Sequence, residues 1–142
     1  MRSVSIWETD LVDRVNSATP IVLVVEGDWI VRGQTVLAFL DAGFVVFEAE
    51  SADEAMALLR GSPAVDAILT DIRLRGAGTG WDVAEAYRMS KSDMPIIYTS
   101  GRTIDHLRMV DGSLFFSKPY SVDDVVRACR GLIGLGSPHS EH

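Results

Sequence analysis

From residue 20 onward, short apolar runs of strand length alternate with segments of helical periodicity. That alternation restricts the chain to an α/β architecture, a parallel sheet with helices on both faces. Ile21–Val25 is an unbroken β-branched and aliphatic run, as expected of a central strand buried on both sides. Further strands are predicted over Val45–Ala49, Val65–Thr70, the run from Pro95 through Ile96–Tyr98, and Leu114–Ser117. Gly33, Val36, Leu37 and Leu40 keep i, i+3, i+4, i+7 spacing and predict one inward helical face, with Gly33 allowing close approach to the sheet and Gly43 at the stop. Ser51 and Glu54 have capping-box spacing ahead of a helix carrying Ala55, Leu58 and Leu59 inward and ended by Gly61-Ser62-Pro63. Gly76, Gly78 and Gly80 read as a flexible loop, followed by a helix with Gly80, Val83, Ala84 and Tyr87 on its inner face. Residues 101–112 are polar and poorly periodic, which predicts at most a short or irregular helix. Ser121 caps the last helix, with Asp123 and Asp124 in its first turn, where the macrodipole favours acids.

A chain of 142 residues with 47% hydrophobic content has room for one domain with a buried core. The expected division is an N-terminal extension over 1–19, a folded domain over 20–133, and a disordered Gly/Ser/Pro/His-rich tail over 134–142. In the extension, Val4, Trp7, Leu11 and Val15 share a face if the segment is helical. A docked helix or partner-binding arm and a frayed tail both fit that pattern, because short isolated helices are marginal. The net charge of −7, with no Lys/Arg-rich stretch, argues against nucleic acid or an anionic membrane as the main partner. No apolar run is long enough to span a bilayer, and Met1–Asp10 lacks the features of a signal peptide, so a cytoplasmic location is expected. The single Cys129 cannot form an internal disulfide, and its spacing with Val122, Val125, Val126, Leu132 and Ile133 places it on a buried helix face.

Four of the strand runs end on reactive or polar residues: Glu26 and Asp28, Asp71, Thr99, and Lys118. In a parallel sheet the carboxyl ends of the strands lie along one edge, so these groups converge although they are scattered in sequence. Acids, a hydroxyl and an amine gathered there suit the handling of a phosphoryl group and a divalent cation. The glycine run at 76–80 superficially resembles a nucleotide loop, but it lacks the P-loop lysine and does not follow the first strand.

The segments VLVVEGD, LTDIRL, PIIYTSG and FFSKPY stand in this order, each at a strand end. With them, Ile21 to Leu132 resembles a receiver domain of the two-component response regulators. The resemblance implies a flavodoxin-like five-stranded fold, Mg²⁺-dependent phosphorylation of an aspartate, and a phosphodonor histidine on a partner, either a histidine kinase or a histidine phosphotransfer protein. Asp71 matches the phospho-acceptor; a carboxylate can attack a phosphohistidine once the charge between them is neutralised. Lys118 matches the lysine that pairs with the acceptor and then with a phosphoryl oxygen, and Pro119 matches the cis proline that follows it. Thr99 matches the hydroxyl that bonds the phosphoryl group, and Phe115 the switch aromatic, although an aromatic in a strand is also ordinary core.

Glu26 matches the first acid of the metal pocket. The family usually has a second, adjacent acid that ligates Mg²⁺ directly, and this chain has Gly27 there. Magnesium commonly takes one or two carboxylates plus phosphate and water. Asp28 either turns into the pocket beside Glu26 and Asp71 or caps the first helix. Arg73 lies where family members tune dephosphorylation, and Ser100 where a small residue is usual.

The expected function is therefore a stand-alone receiver, not a conventional enzyme, that signals by contact with a downstream protein; a homodimer remains open. Three other readings share parts of the pattern. A degenerate receiver would bind partners without phosphorylation, and Gly27 keeps that open. A haloacid-dehalogenase-like phosphatase would use Glu26-Gly27-Asp28, Thr99 and Lys118, but it needs an aspartyl nucleophile where Glu26 stands and leaves Asp71 unexplained. A flavin carrier would share the fold, yet acids after the first strand would repel a flavin phosphate.

Overall fold

The computed structural model describes residues 19–61, 64–102 and 108–134. Nearly all of the expected disordered tail and of the N-terminal extension lie outside these residues; Gly134, at the start of the tail, is the C-cap of the last helix. Five strands, β1 (Ile21–Val25), β2 (Val45–Ala49), β3 (Ala67–Asp71), β4 (Ile96–Ser100) and β5 (Leu114–Ser117), form one parallel sheet in the order β2-β1-β3-β4-β5. Four helices connect or follow them: α1 (Trp29–Asp41), α2 (Ala52–Gly61), α3 (Gly80–Ser90) and α4 (Val122–Ile133). The strand order and all-parallel pairing are those of the flavodoxin-like fold. Chain direction across the sheet reverses between β1 and β3, and a ligand crevice opens at the strand ends there.

Strand alternation divides the core into two layers. Leu23 and Val25 of β1 join Ile68, Ile96 and Tyr98 under α2 and α3, where Trp81 packs on Tyr98 with ring centroids 4.8 Å apart. Val22 and Val24 join Leu69, Ile97, Val125 and Cys129 under α1 and α4. β3 and β4 are buried throughout, whereas β2 and β5 form the half-exposed edges. Burial pushes the Cys129 thiol up to about 12, so it stays protonated and unreactive.

The inward face of α1 differs from the expected one. Thr35, Val36 and Phe39 are buried, whereas Gly33, Leu37 and Leu40 point to solvent, and a Cβ on Gly33 would meet nothing within 4 Å. The helix is apolar nearly all round, so two stripes compete in its sequence, and tertiary contacts choose between them. Phe39 stacks edge-on against Phe44 at 4.9 Å, and the Thr35 hydroxyl shares a 2.8 Å hydrogen bond with the Tyr120 hydroxyl. A threonine that finds a buried polar partner can occupy the core more favourably than an isolated apolar row suggests.

β3 is displaced by two residues at its start and one at its end relative to Val65–Thr70. Asp66 Oδ2 accepts from the Ile21 amide at 2.7 Å while the Asp66 amide donates to the Ile21 carbonyl at 2.7 Å, and at the other end Asp71 pairs with Thr99. The loop after β3 is pinned rather than free. Arg75 bridges to Ser51, and the Gly80 amide donates to the Ile72 carbonyl at 2.8 Å. Thr79 caps α3 in a capping box with Asp82, a start signal that the glycine run concealed. Gly80 is required by contact: a Cβ there would overlap the Asp71 carbonyl oxygen and stand 2.9 Å from Ile72 Cα. Gly80→Ala should therefore destabilise the fold by about 1–3 kcal/mol, the usual cost of overpacking against backbone. A fall in the urea midpoint with an unchanged slope checks this; an unchanged midpoint would show that α3 can move away freely.

Candidate functional site

The β1 end, the β3 end and the turn after β5 meet at the β1/β3 crevice. Glu26 directly follows β1, with its amide donating to the Ala49 carbonyl at 2.9 Å. Arg32 reaches back from the first turns of α1 to the Glu26 carbonyl at 2.7 Å and also pairs with Glu48 at 3.2 Å, fixing the β1–α1 turn. Asp71 closes β3, aligned with Thr99 on β4. Lys118 enters from the β5 side, its amide bonded to the Ser100 carbonyl at 2.9 Å, and the Lys118–Pro119 peptide is cis, as the resemblance implied.

Lys118 Nζ lies 3.0 Å from Asp71 Oδ2 and 2.7 Å from Glu26 Oε1. The Asp71 contact is a hydrogen-bonded ion pair. The Glu26 contact is close but poorly aligned, and Glu26 Oε1 is buried without a well-formed hydrogen bond. Glu26 Oε2 accepts from the Asp28 amide at 3.0 Å. Burial raises the Glu26 carboxyl above its ordinary value, reinforced by the neighbouring Asp71 charge and only partly offset by Lys118. Burial works to lower the Lys118 ammonium, but its bonds to Glu26 and Asp71 outweigh that and hold it above its ordinary value.

The structure brings Glu26, Asp71, Thr99 and Lys118 to one strand edge; Asp28 lines the same depression, with one carboxylate oxygen turned to the start of α1. The Asp28 carboxylate accepts from the Ile30 and Val31 amides at 2.9 and 3.3 Å, so it is the N-cap of α1. Among the described residues no three acids, histidines or cysteines gather as a ready metal cage. Thr99 and Ser100 are buried, and Ser100 Oγ accepts from the Arg102 amide at 3.1 Å. Phe115 is half-buried against the core layer under α2 and α3, opposite Tyr98 in the ladder.

Above the acids lies an open depression of about 550 Å³, rimmed by Trp29, Ile30, Arg73, Leu74 and Arg75. Arg75 was not singled out in the sequence reading; its place four residues beyond Asp71 was the available signal. Tyr120 and Thr35, which tie the turn after Lys118 to α1, were also missed, because neither carries a sequence signature.

The model of the response regulator receiver domain matches residues 22–130. The chain belongs to the response regulator receiver family. A response regulator receiver protein from Sinorhizobium medicae WSM419 is 28% identical, with a TM-score of 0.78 over 81% of this chain and 94% of that one. The non-phosphorylated HemR receiver domain of Leptospira biflexa is 25% identical, with a TM-score of 0.72 over 85% and 99%. A CheY-like receiver domain protein from Methanospirillum hungatei JF-1, at 19% identity and a TM-score of 0.73 over 81% and 94%, shares the fold. No curated protein matches.

Receiver domains are signalling modules of two-component systems that interact with histidine kinases or phosphotransfer proteins, and they typically bind Mg²⁺ at the acidic phosphorylation site. Nothing supports the phosphatase alternative for this receiver domain, whose Asp28 is committed to a helix cap. No helix among the described residues is long and apolar enough to cross a membrane.

The elevated Glu26 carboxyl has a consequence for stability. A carboxyl whose folded pKa exceeds its unfolded value, ordinarily 4.5, makes the native state bind more protons. Its contribution is therefore greatest below pH 4.5 and declines as pH rises through the folded pKa. Glu26→Gln should remove that decline and leave the receiver domain at least as stable as wild type at neutral pH. Urea denaturation between pH 5 and 8 checks this; a variant clearly weaker than wild type at pH 7 would mean that the Glu26–Lys118 attraction exceeds the cost of burial.

Proposed function

We propose that Asp71 accepts a phosphoryl group from a phosphohistidine on a histidine kinase or phosphotransfer protein, and that the modified domain signals by contact with a downstream protein. The observation that carries this reading is the 3.0 Å hydrogen-bonded ion pair between Asp71 and Lys118 at the β1/β3 crevice. An Asp71 oxygen attacks phosphorus, the phosphorus–nitrogen bond breaks, and the imidazole departs with the electron pair and takes a proton from solvent. Lys118 shifts from the carboxylate to a phosphoryl oxygen as negative charge accumulates there. Thr99, level with Asp71 on the adjacent strand, is the hydroxyl for a second phosphoryl oxygen. Its inward movement would repack Phe115 and alter the surface made by β5, α4 and the β4–β5 connection.

Two acids face one ammonium, leaving one net negative charge and a poorly satisfied Glu26 oxygen, a donor set that fits a divalent cation. Glu26 and Asp71 are the side chains to hold Mg²⁺, within the one or two carboxylates that ion commonly takes. When bound, the metal supplies neutralisation of the phosphoryl oxygens.

Incubation with Mg²⁺ and a small phosphodonor should add one hydroxylamine-sensitive phosphate, seen by intact mass and absent from Asp71→Asn. Phosphate that survives this change, or that maps to Glu26 or Asp28, would overturn the reading. A wild-type chain that takes none at high Mg²⁺ would favour the phosphorylation-independent receiver.

Gly27 has room for the missing acid, since a Cβ there would stand 3.5 Å from the Glu50 carbonyl oxygen and 3.9 Å from Arg75 Cγ. Gly27→Asp should tighten Mg²⁺ binding by about tenfold, the effect of ~1.4 kcal/mol from one added carboxylate, and speed phosphorylation. Asp28→Ala should instead cost about 1 kcal/mol of stability as a lost cap and leave Mg²⁺ affinity unchanged. A Trp29 fluorescence titration reads the affinities; weakened binding in Asp28→Ala would restore Asp28 as a ligand.

A further inference from the structure

Surface-facing helices of a domain this size normally show a polar outer face, and α2, α3 and α4 carry charge outward at Asp53 and Glu54, at Glu85, and at Asp123, Asp124 and Arg127. α1 does not. Trp29, Ile30, Leu37 and Leu40 are 73%, 52%, 61% and 49% exposed, and with Gly33 they occupy a single arc of about 100° that adjoins the core face on one side. An apolar surface wider than the core-facing stripe is the pattern of an element covered along a second side.

The chain preceding the sheet begins beside that stripe. The Pro20 carbonyl accepts from the Val45 amide at 2.9 Å, so residues before Thr19 enter the fold beside the start of β2, just past the C-terminal end of α1. That preceding stretch holds Val4, Trp7, Leu11 and Val15 at helical spacing, and Ser5 with Glu8 has the spacing of a capping box that would start a helix at residue 6.

We propose that residues 6–15 form an amphipathic helix, led by Val4, that packs parallel to α1 along its exposed stripe, covering Ile30, Gly33, Leu37 and Leu40. The lengths agree: ten residues from 6 to 15 make about 15 Å of helix against about 20 Å for α1. Residues 16–19 span at most about 13 Å extended, which is the reach from the start of β1, at the level of the sheet, to the flank of α1 nearest β2. The two stripes also step together. With Val15 beside Leu40, Leu11 falls near Leu37, Trp7 at Gly33 and Val4 toward Ile30, each within about 2 Å in rise. Gly33, which costs about 1 kcal/mol in a helix interior, then has a use, because the open space at its missing side chain receives the Trp7 indole. The proposal goes beyond phosphorylation and does not depend on it.

Hydrogen exchange of the full chain, resolved by peptide, tests this. Amides of residues 6–15 should exchange at least about tenfold more slowly than unstructured chain, independently of protein concentration. Leu37→Asp and, separately, Leu11→Asp should each abolish that protection while leaving β1, β3 and β4 protected. The second variant leaves α1 untouched, so loss of the signal cannot be put down to damage there. Exchange at unstructured rates in wild type would overturn the proposal. So would protection that survives Leu37→Asp, which would dock the segment elsewhere, and protection that rises with concentration, which would assign the stripe to a second copy of the chain.

Discussion

The site depends on one ammonium held between two buried carboxylates. Glu26 and Asp71 belong to strands that adjoin in space but are separated by β2 in sequence, and Lys118 is the cation that makes their proximity tolerable. Two like charges in a crevice of reduced dielectric repel strongly, and a buried ion pair is a weak source of net stability once desolvation is counted. The raised Glu26 carboxyl is the visible remainder of that cost. A core built only for stability would not keep this arrangement. A pocket meant to receive a cation and an anionic group can use it, since each incoming charge finds a counter-charge already in position.

The rest of the fold fixes where those three groups stand. β1, β3 and β4 are buried on both faces, so their register is set by packing and their ends cannot slide. Gly80 lets α3 begin directly against the Asp71 backbone, while Arg32 and Tyr120 tie the two flanking turns to α1. Positioning of Asp71 therefore comes from strands and helix starts, and the rim residues Arg73 and Arg75 come from the loop, where change costs the fold least.

The strands and the reactive residues at their ends were legible in the sequence because buried parallel strands are uninterrupted apolar runs, and because a strand end in this topology has only one place to go. Cys129 on its buried face and the Ser121 cap were legible for similarly local reasons. The inner face of α1 was not, since an all-round apolar helix gives periodicity nothing to select, and the choice rests on Phe44 and Tyr120 from distant parts of the chain. The fate of Asp28 was equally hidden: a carboxylate one residue ahead of a helix can serve a cap or a pocket, and only the direction of the first helical turn decides. The glycine run was misleading in one respect, as the absence of side chains reflects close contact with Asp71 and Ala52 rather than freedom to move.

The substitution at Gly27 changes the charge arithmetic of the site. Glu26, Asp71 and Lys118 sum to −1, whereas an acid at position 27 would make −2. The weaker negative potential attracts a divalent cation less and repels a phosphoryl donor less. The two effects oppose one another along a phosphorylation reaction, because fewer carboxylates hold the metal but less fixed charge resists the approaching phosphate. Arg73 and Arg75 at the rim push in the same direction, toward acceptance of an anion. On the proposed reading, the balance in this receiver domain would shift from the cation toward the phosphoryl group itself, and Lys118, already engaged by both acids, would carry more of the neutralisation than beside a full acidic pair.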